Sequence, residues 1–150
     1  MANILETHPS EWKYVSEGAS TIVLSYIGPS RIPFDGKVLR LRKSKRQHSE
    51  VVDQLLASQD SRPDEESDDP TVDFQSKCMA RLIPPEHLPK LETVLLDGHW
   101  LEELTLLQNP RRPQSRREED GIDLTRKKGV LATDLVGGNK LSVEIKVRTH

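Results

Sequence analysis

Three short runs near the start of the chain alternate apolar and polar residues. They span residues 11–16, 21–27 and 37–42, and small turn-forming residues lie between them. Such alternation is typical of a half-buried strand, because successive side chains point to opposite faces of a sheet. The short connections between the runs predict an antiparallel meander.

Residues 141–146 alternate in the same way and predict a further strand. Its apolar residues would face the core, which leaves Glu144 and Lys146 on the opposite face. An acid and a base at a strand end can hold a ligand, or they can form a solvated pair. The pattern alone favours the solvated pair, because charged residues usually lie exposed.

Helical spacing of apolar residues appears in two segments, and a third segment is rich in apolar residues. Residues 49–58 predict a modest amphipathic helix. Apolar residues within 91–95 recur at i, i+3 and i+4, which predicts a helix that ends at Asp97-Gly98. Residues 100–107 form a further apolar segment that we interpret as core packing.

Two polar stretches predict loops, and the pattern leaves the state of residues 71–82 open. Residues 59–70 include no apolar side chain apart from two prolines, and we expect a disordered loop there. Residues 109–128 are polar and arginine-rich, which also predicts a loop. Together these elements predict an α+β fold, an antiparallel β-sheet with one or two packed helices, across residues 1–150.

The composition narrows the class of protein. Hydrophobic residues make up 34% of the chain and charged residues 31%, so part of the chain is expected to lie outside the core. The single cysteine, Cys78, excludes an internal disulfide and a cysteine-rich zinc site. No apolar run approaches the roughly 20 residues of a membrane helix, and no signal peptide is apparent. We therefore expect a soluble intracellular protein with no membrane partner.

The charges are unevenly distributed, although the net charge is only −2. Residues 37–46 are rich in lysine and arginine, residues 60–69 are mainly acidic, and residues 111–117 include two arginine pairs. Basic segments of this kind can bind nucleic acid through its phosphates. Few aromatic residues are available to stack on bases, however, and the acidic block would repel a phosphate backbone. Nucleic acid is therefore a disfavoured partner.

Three features could bring a phosphate to this chain. The small residues of 16–21 allow close backbone approach, although an ordinary hairpin turn is the simpler explanation. Arg40 and Arg42 share one strand face and could fork onto phosphate oxygens, or could face solvent. Residues 111–117 could meet a highly phosphorylated small molecule, or form a flexible basic loop. No P-loop or dinucleotide-binding motif is present. With the charged strand end at 144–146, this layout would suit a kinase-type N-terminal lobe.

Several of these blocks resemble the inositol-pentakisphosphate 2-kinases in their fungal form. The specific blocks are EGA at 17–19, GKVLRLRK at 36–43 and VEIK at 143–146. RRPQSRR at 111–117 and ATDLVGGNKLSVEIK at 132–146 fit the same family in the same order. The resemblance implies phosphorylation of inositol pentakisphosphate by ATP at the 2-hydroxyl. The product would be inositol hexakisphosphate, or phytate, made in the nucleus or cytoplasm.

The resemblance also implies which residues bind ATP. Residues 17–19 correspond to the turn that covers the nucleotide, although Ser20-Thr21 stands where relatives often have asparagine. Arg40 corresponds to an arginine on the ATP phosphates, residues 133–135 to the adenine-contacting hinge, and Glu144 to the ATP side of the reacting phosphates. The implied ATP-binding residues are Glu17, Gly18, Ala19, Arg40, Thr133, Asp134, Leu135 and Glu144.

The implied substrate-binding residues are cations. Lys146 is expected to reach toward the inositol phosphate, and Arg116, or less readily Arg112, to contact it. The family usually continues the EIK motif with Pro-Lys, whereas Val147-Arg148 follows here. We expect Arg148 to stand in for the second substrate-binding lysine.

The resemblance covers only the N-terminal lobe of a longer family. The family's catalytic and magnesium-binding aspartates belong to a second lobe, beyond residue 150. We therefore expect no catalytic residue and no metal ligand within this apparently truncated chain, although the complete enzyme would use ATP and magnesium. The alternative function is that of a non-catalytic fragment that binds polyanions or regulates a partner.

Overall fold

The computed structural model describes residues 1–45 and 66–135. The strands in these ranges are β1 (Ala2–Asn3), β2 (Trp12–Glu17), β3 (Thr21–Tyr26), β4 (Lys37–Lys45), β5 (Leu91–Leu95), β6 (Asp120–Ile122) and β7 (Lys128–Thr133). The α-helices are α1 (Pro70–Phe74), α2 (Ala80–Leu82), α3 (Gly98–Gln108) and α4 (Gln114–Glu119). One π-helical turn, Gln75–Met79, joins α1 to α2. None of the helices in this part of the chain is long and apolar enough to cross a membrane.

The strands form one mixed sheet in the order β1-β5-β7-β4-β3-β2, with β6 beside β4. β1 pairs with β5 in parallel, and the other strand pairs are antiparallel. The predicted meander is confirmed as β2-β3-β4. A mixed sheet with a few helices also confirms the predicted α+β class.

β4 is the longest strand and lies at the centre of the sheet. One edge of β4 pairs with β3 along five residue positions. The other edge pairs first with β7, where Leu39 lies opposite Leu131, and then with β6, where Lys43 lies opposite Ile122. Because β4 pairs with both β7 and β6, it extends from the hydrophobic core to the end of the sheet formed by β6.

The core lies on the sheet face that bears Leu39 and Leu41, and α3 contributes Trp100, Leu101 and Leu104 to it. Trp12 and Trp100 pack edge to face with their ring centroids 6.5 Å apart. Both indole N–H groups donate to Thr7: Trp12 to the hydroxyl and Trp100 to the carbonyl oxygen, each at 2.9 Å. Burying both rings therefore leaves neither donor unsatisfied.

The helix predicted over 91–95 is wrong, because these residues form β5. Both edges of β5 are paired, to β1 and to β7, so its backbone groups find partners in the sheet. The i, i+3, i+4 spacing was too short to distinguish a helix from a strand. The Asp97-Gly98 pair begins a helix instead of ending one, since the Asp97 carboxylate accepts the backbone N–H of Trp100 at 3.0 Å.

The loop predicted over 109–128 is also wrong in part, because α4 and β6 occupy 114–122. These short elements have no apolar periodicity. Residues 71–82, whose state the pattern left open, are helical from Pro70 through Leu82. The helix predicted at 49–58, the strand predicted at 141–146 and most of the acidic loop lie outside the described residues.

The core assignment predicts a contrast between two leucines of α3. Leu104 is fully buried, whereas Leu106 is 76% exposed. Leu104→Ala should lower the free energy of unfolding by about 3 kcal/mol, because it removes buried methyl groups and leaves a cavity. Leu106→Ala should change it by less than about 0.5 kcal/mol. Denaturant unfolding followed by tryptophan fluorescence measures both, and equal losses would contradict the packing of α3.

Candidate functional site

Four charged side chains form a buried ion network at one end of the sheet. The Arg112 guanidinium donates to both oxygens of the Glu17 carboxylate at 2.9 Å and to Asp120 Oδ1 at 3.0 Å. Lys43 Nζ lies 2.6 Å from Glu17 Oε2 and 3.0 Å from Asp120 Oδ1. The Arg112 and Lys43 side chains are 1% exposed and that of Glu17 is 2%. Two cations and two anions thus balance one another away from water.

A β-bulge in β2 places Glu17 in this network. Tyr14 pairs with Leu24 and Glu17 pairs with Ile22, with the register shift between Tyr14 and Ser16. Leu24 and Ile22 share the core face of β3, so Tyr14 and Glu17 also lie on the core face, although they are three positions apart in sequence. Simple alternation from Tyr14 would have placed Glu17 on the opposite face.

The network shifts the pKa of two of its members, Glu17 and Arg112. Burial by itself would raise the pKa of Glu17, but hydrogen bonds and charge from Arg112 and Lys43 outweigh it and lower the pKa from 4.5 to about 2. Hydrogen bonding to Glu17 raises the pKa of Arg112 against the effect of burial. Burial, with the nearby Glu17 carboxylate, raises the pKa of Tyr14, whose hydroxyl donates to Glu17 at 3.3 Å. Glu17 and Arg112 are therefore both charged at neutral pH.

The turn after Glu17 exposes its backbone. Gly18 N–H donates to the Thr21 carbonyl at 2.9 Å, and the Lys43 N–H donates to the Ser20 carbonyl at 2.9 Å, which closes the turn over β4. A Cβ atom at Gly18 would meet nothing within 4 Å, so the outer side of the turn is open. Gly18 and Ala19 are exposed, whereas the side chain of Glu17 is buried in the ion network. Their role in covering a nucleotide stays a prediction.

The sheet face opposite α3 presents Arg40 among small apolar side chains. Arg40 lies opposite Val23 on β3 and Val130 on β7, and the next position on this face is Val38, opposite Ala132. Val38, Val130 and Ala132 are buried, and Arg40 is partly exposed. Within residues 1–45 and 66–135, the Arg40 side chain forms no hydrogen bond or ion pair. It is a cation available to an anion on this face.

Arg42, on the same face, is already paired. Its Nε donates to Asp69 Oδ2 at 2.6 Å and its Nη2 donates to Asp69 Oδ1 at 2.7 Å, a bidentate geometry. Burial would raise the pKa of Asp69, but the bonds from Arg42 and from the Thr71 N–H and hydroxyl lower it to about 2. Of the two arginines that the sequence pattern singled out, only Arg40 is therefore free to bind an anion in the described structure.

Residues 133–135 leave β7 at the edge of the same face. Asp134 N–H donates to the Gly36 carbonyl at 2.9 Å, and Ser25 Oγ donates to Asp134 Oδ2 at 2.6 Å. Thr133 exchanges hydrogen bonds with Lys90, and Leu135 is 65% exposed. These bonds fix the chain beside the start of β4, so an exposed apolar side chain lies near the Arg40 face. The predicted adenine contact by these residues is not tested by this geometry.

Comparison with known proteins identifies the family. A family model described as inositol-pentakisphosphate 2-kinase matches residues 14–147. The chain belongs to the inositol-pentakisphosphate 2-kinase family. An inositol-pentakisphosphate 2-kinase of Cryptococcus neoformans is 30% identical over 149 aligned positions, and one of Arabidopsis thaliana is 25% identical over 163. Each match covers 94% of this chain but only 33% and 36% of the relative, so the chain spans about a third of the relatives' length.

The two arginines that the family resemblance assigns to substrate binding, Arg112 and Arg116, lie in different environments. Arg112 is buried, and its guanidinium donates hydrogen bonds to the carboxylates of Glu17 and Asp120. Its Nη1 also donates to the Asp120 carbonyl at 3.2 Å. Arg116 is partly exposed on α4, and its positive charge lies close enough to Tyr14 to act on the pKa of that hydroxyl. The geometry therefore favours Arg116 over Arg112 as a contact to substrate, and both roles stay predictions.

Three predicted site residues, Glu144, Lys146 and Arg148, lie outside the described residues. Within the described ranges, no group of three or more His, Cys, Asp or Glu side chains could hold a metal ion. Sequence reasoning missed Lys43 and Asp120 as members of a buried network. One signal was available for Lys43, since it continues the face of β4 that bears Leu39 and Leu41.

The network predicts an acid-dependent loss of stability. Because the folded pKa of Glu17 lies below 4.5, its carboxylate stabilises the fold fully above about pH 4.5 and progressively less as the pH falls toward about 2. Glu17→Gln should lower the free energy of unfolding at pH 7 by about 3 to 5 kcal/mol, since two buried cations then share one anion, Asp120, in place of two. The difference from wild type should shrink between pH 4.5 and about 2.

The matched control for this pH series is Glu86→Gln, the same chemical change at an exposed residue. Its unfolding free energy should follow that of the wild type at each pH, within about 0.5 kcal/mol. A Glu17→Gln difference that stayed constant down to pH 2 would contradict the lowered pKa of Glu17.

Proposed function

We propose that the protein transfers the γ-phosphate of ATP to the 2-hydroxyl of inositol pentakisphosphate, giving inositol hexakisphosphate. In this proposal the chain is a kinase-like lobe that binds ATP on the sheet face opposite α3. Family membership supports the reaction class. The observation that carries the assignment of the face is Arg40, a cation without an internal partner among the described residues, surrounded by small apolar side chains.

Each part of the proposed site would do a distinct job. Arg40 would bind the ATP phosphates and neutralise their charge, which is the main contribution a protein makes to phosphoryl transfer. The exposed turn at Gly18 and Ala19 would cover the phosphates. Thr133, Asp134 and Leu135 would border the adenine ring at the sheet edge, where Leu135 is exposed.

The remaining proposed contacts come from the family resemblance. Glu144 would position the nucleotide, Lys146 would reach the acceptor, and Arg116, with Arg148, would bind phosphates of the inositol ring. Magnesium is proposed to accompany ATP and to screen its charge. The described residues offer no cluster suited to that ion, so none of them is assigned to it. No general base is assigned within these residues either.

The alternative of a polyanion-binding fragment is weakened by the pairing of its cations. Lys43 and Arg112 are buried in the ion network, and Arg42 is held by Asp69. Lys37 lies 3.8 Å from Glu92. Many of the cations that the sequence suggested as a basic surface are therefore neutralised within the fold, which leaves less charge for a nucleic-acid backbone.

The proposed role of Arg40 predicts a large kinetic defect. Arg40→Met in the full-length native protein should lower kcat/KM for ATP by about 100-fold, because a charge-stabilising donor to the transferring phosphate is lost. KM for inositol pentakisphosphate should change much less. Steady-state kinetics with each substrate varied in turn measures this contrast.

The control is Arg81→Met, the same substitution at an exposed arginine of α2 whose side chain forms no hydrogen bond or ion pair in the described ranges. Its kcat/KM should stay within about twofold of wild type. Wild-type kinetics for Arg40→Met would remove the Arg40 face from the proposed site. Absence of phosphoryl transfer by the wild-type protein would overturn the proposed function itself.

A further inference from the structure

Arg112 connects two parts of the chain that the proposed function uses separately. Its guanidinium reaches from the segment before α4 to Glu17, the residue that begins the exposed turn, 95 positions away in sequence. The same guanidinium donates to the carbonyl of Arg116 within α4 at 3.4 Å. One buried side chain therefore bonds both to the turn and to the helix that carries Arg116.

The hydrogen bonds of Arg112 fix the relative positions of the groups that accept them. The Glu17 carboxylate receives a two-pronged bond, which fixes orientation as well as distance. Asp120 closes the arrangement from β6, and Lys43 holds both carboxylates from β4. Buried ion pairs are weak evidence for net stability, since apolar replacements often do as well. The directional hydrogen bonds of this network are better explained by a need to hold β2, β4, β6 and the segment before α4 in fixed positions relative to one another.

We propose that Arg112 is a positioning residue, which sets Arg116 at a fixed place relative to the turn at 17–19. This inference rests on the proposed function, in which Arg116 binds an inositol phosphate group and the turn covers ATP. Arg112 would not touch substrate. It would act through Arg116. The buried hydrogen bonds of Arg112 would thereby fix the position of the inositol phosphate relative to the phosphates of ATP.

Positioning and direct contact predict different responses to paired substitutions. Arg112→Lys keeps the positive charge but loses the fork that orients Glu17 and the Arg116 carbonyl. If Arg112 acts through Arg116, the effect of Arg112→Lys on the acceptor KM must disappear once the Arg116 side chain is gone. If Arg112 contacts substrate or only stabilises the fold, its effect must persist.

The test is a double-mutant cycle in the full-length native protein, with KM for inositol pentakisphosphate as the readout. Arg116→Ala should raise this KM by about tenfold or more, through loss of a charged contact to phosphate. Arg112→Lys alone should raise it by about fivefold, as expected for a misplaced contact. In the Arg116→Ala background, Arg112→Lys should raise it by less than about twofold further.

Arg81→Lys is the matched control and should leave the KM unchanged. If Arg112→Lys fails to fold, Asp120→Asn in the same cycle replaces it, because it removes an anchor of Arg112 and leaves Glu17 in place. If Arg112→Lys raised the KM for inositol pentakisphosphate by the same factor in the wild-type and Arg116→Ala backgrounds, the inference would be overturned, and the proposed kinase reaction would still stand. An inactive wild-type protein would instead overturn the proposed function.

Discussion

The fold depends on a charge balance that is satisfied only in the native arrangement. Glu17 and Asp120 are the anions of the buried network, and Lys43 and Arg112 are its cations. They come from four separate stretches of chain, so the balance exists only when β2, β4, β6 and the segment before α4 are all in place. Removing one member leaves an opposite charge buried without its partner. This destabilises the fold far more than replacing the whole pair with apolar residues would. The network therefore selects one arrangement of this end of the sheet.

β4 links this structural network to the proposed chemistry. Leu39, Leu41 and Lys43 point to the core face, where they join the hydrophobic core and the ion network. Val38 and Arg40 point to the opposite face, where the cation has no internal partner in the described ranges. Because alternate residues of one strand serve the two faces, a change that shifts the register of β4 would disturb both the core and the proposed phosphate contact.

The local pattern of the sequence predicted some of this structure and could not predict the rest. Alternation was sufficient for the meander β2-β3-β4, since each strand has one buried face. It failed at β5, where pairing on both edges overrides a short helical spacing. The position of Glu17 could not be read from alternation because a bulge in β2 moves it to the core face. Arg112 reaches Glu17 only through a tertiary contact between residues 95 positions apart, and Asp120 joins the network through Arg112 and Lys43. The family resemblance added residue roles that no local pattern contains.

The most direct test is a structure of the full-length protein with a non-hydrolysable ATP analogue, read as the distance from Arg40 to the nearest phosphate oxygen. We expect a hydrogen-bonded contact of about 2.8 Å, with the triphosphate under the Gly18-Ala19 turn and the adenine on the face opposite α3. A nucleotide bound on the α3 side, or phosphates out of reach of Arg40, would contradict the account.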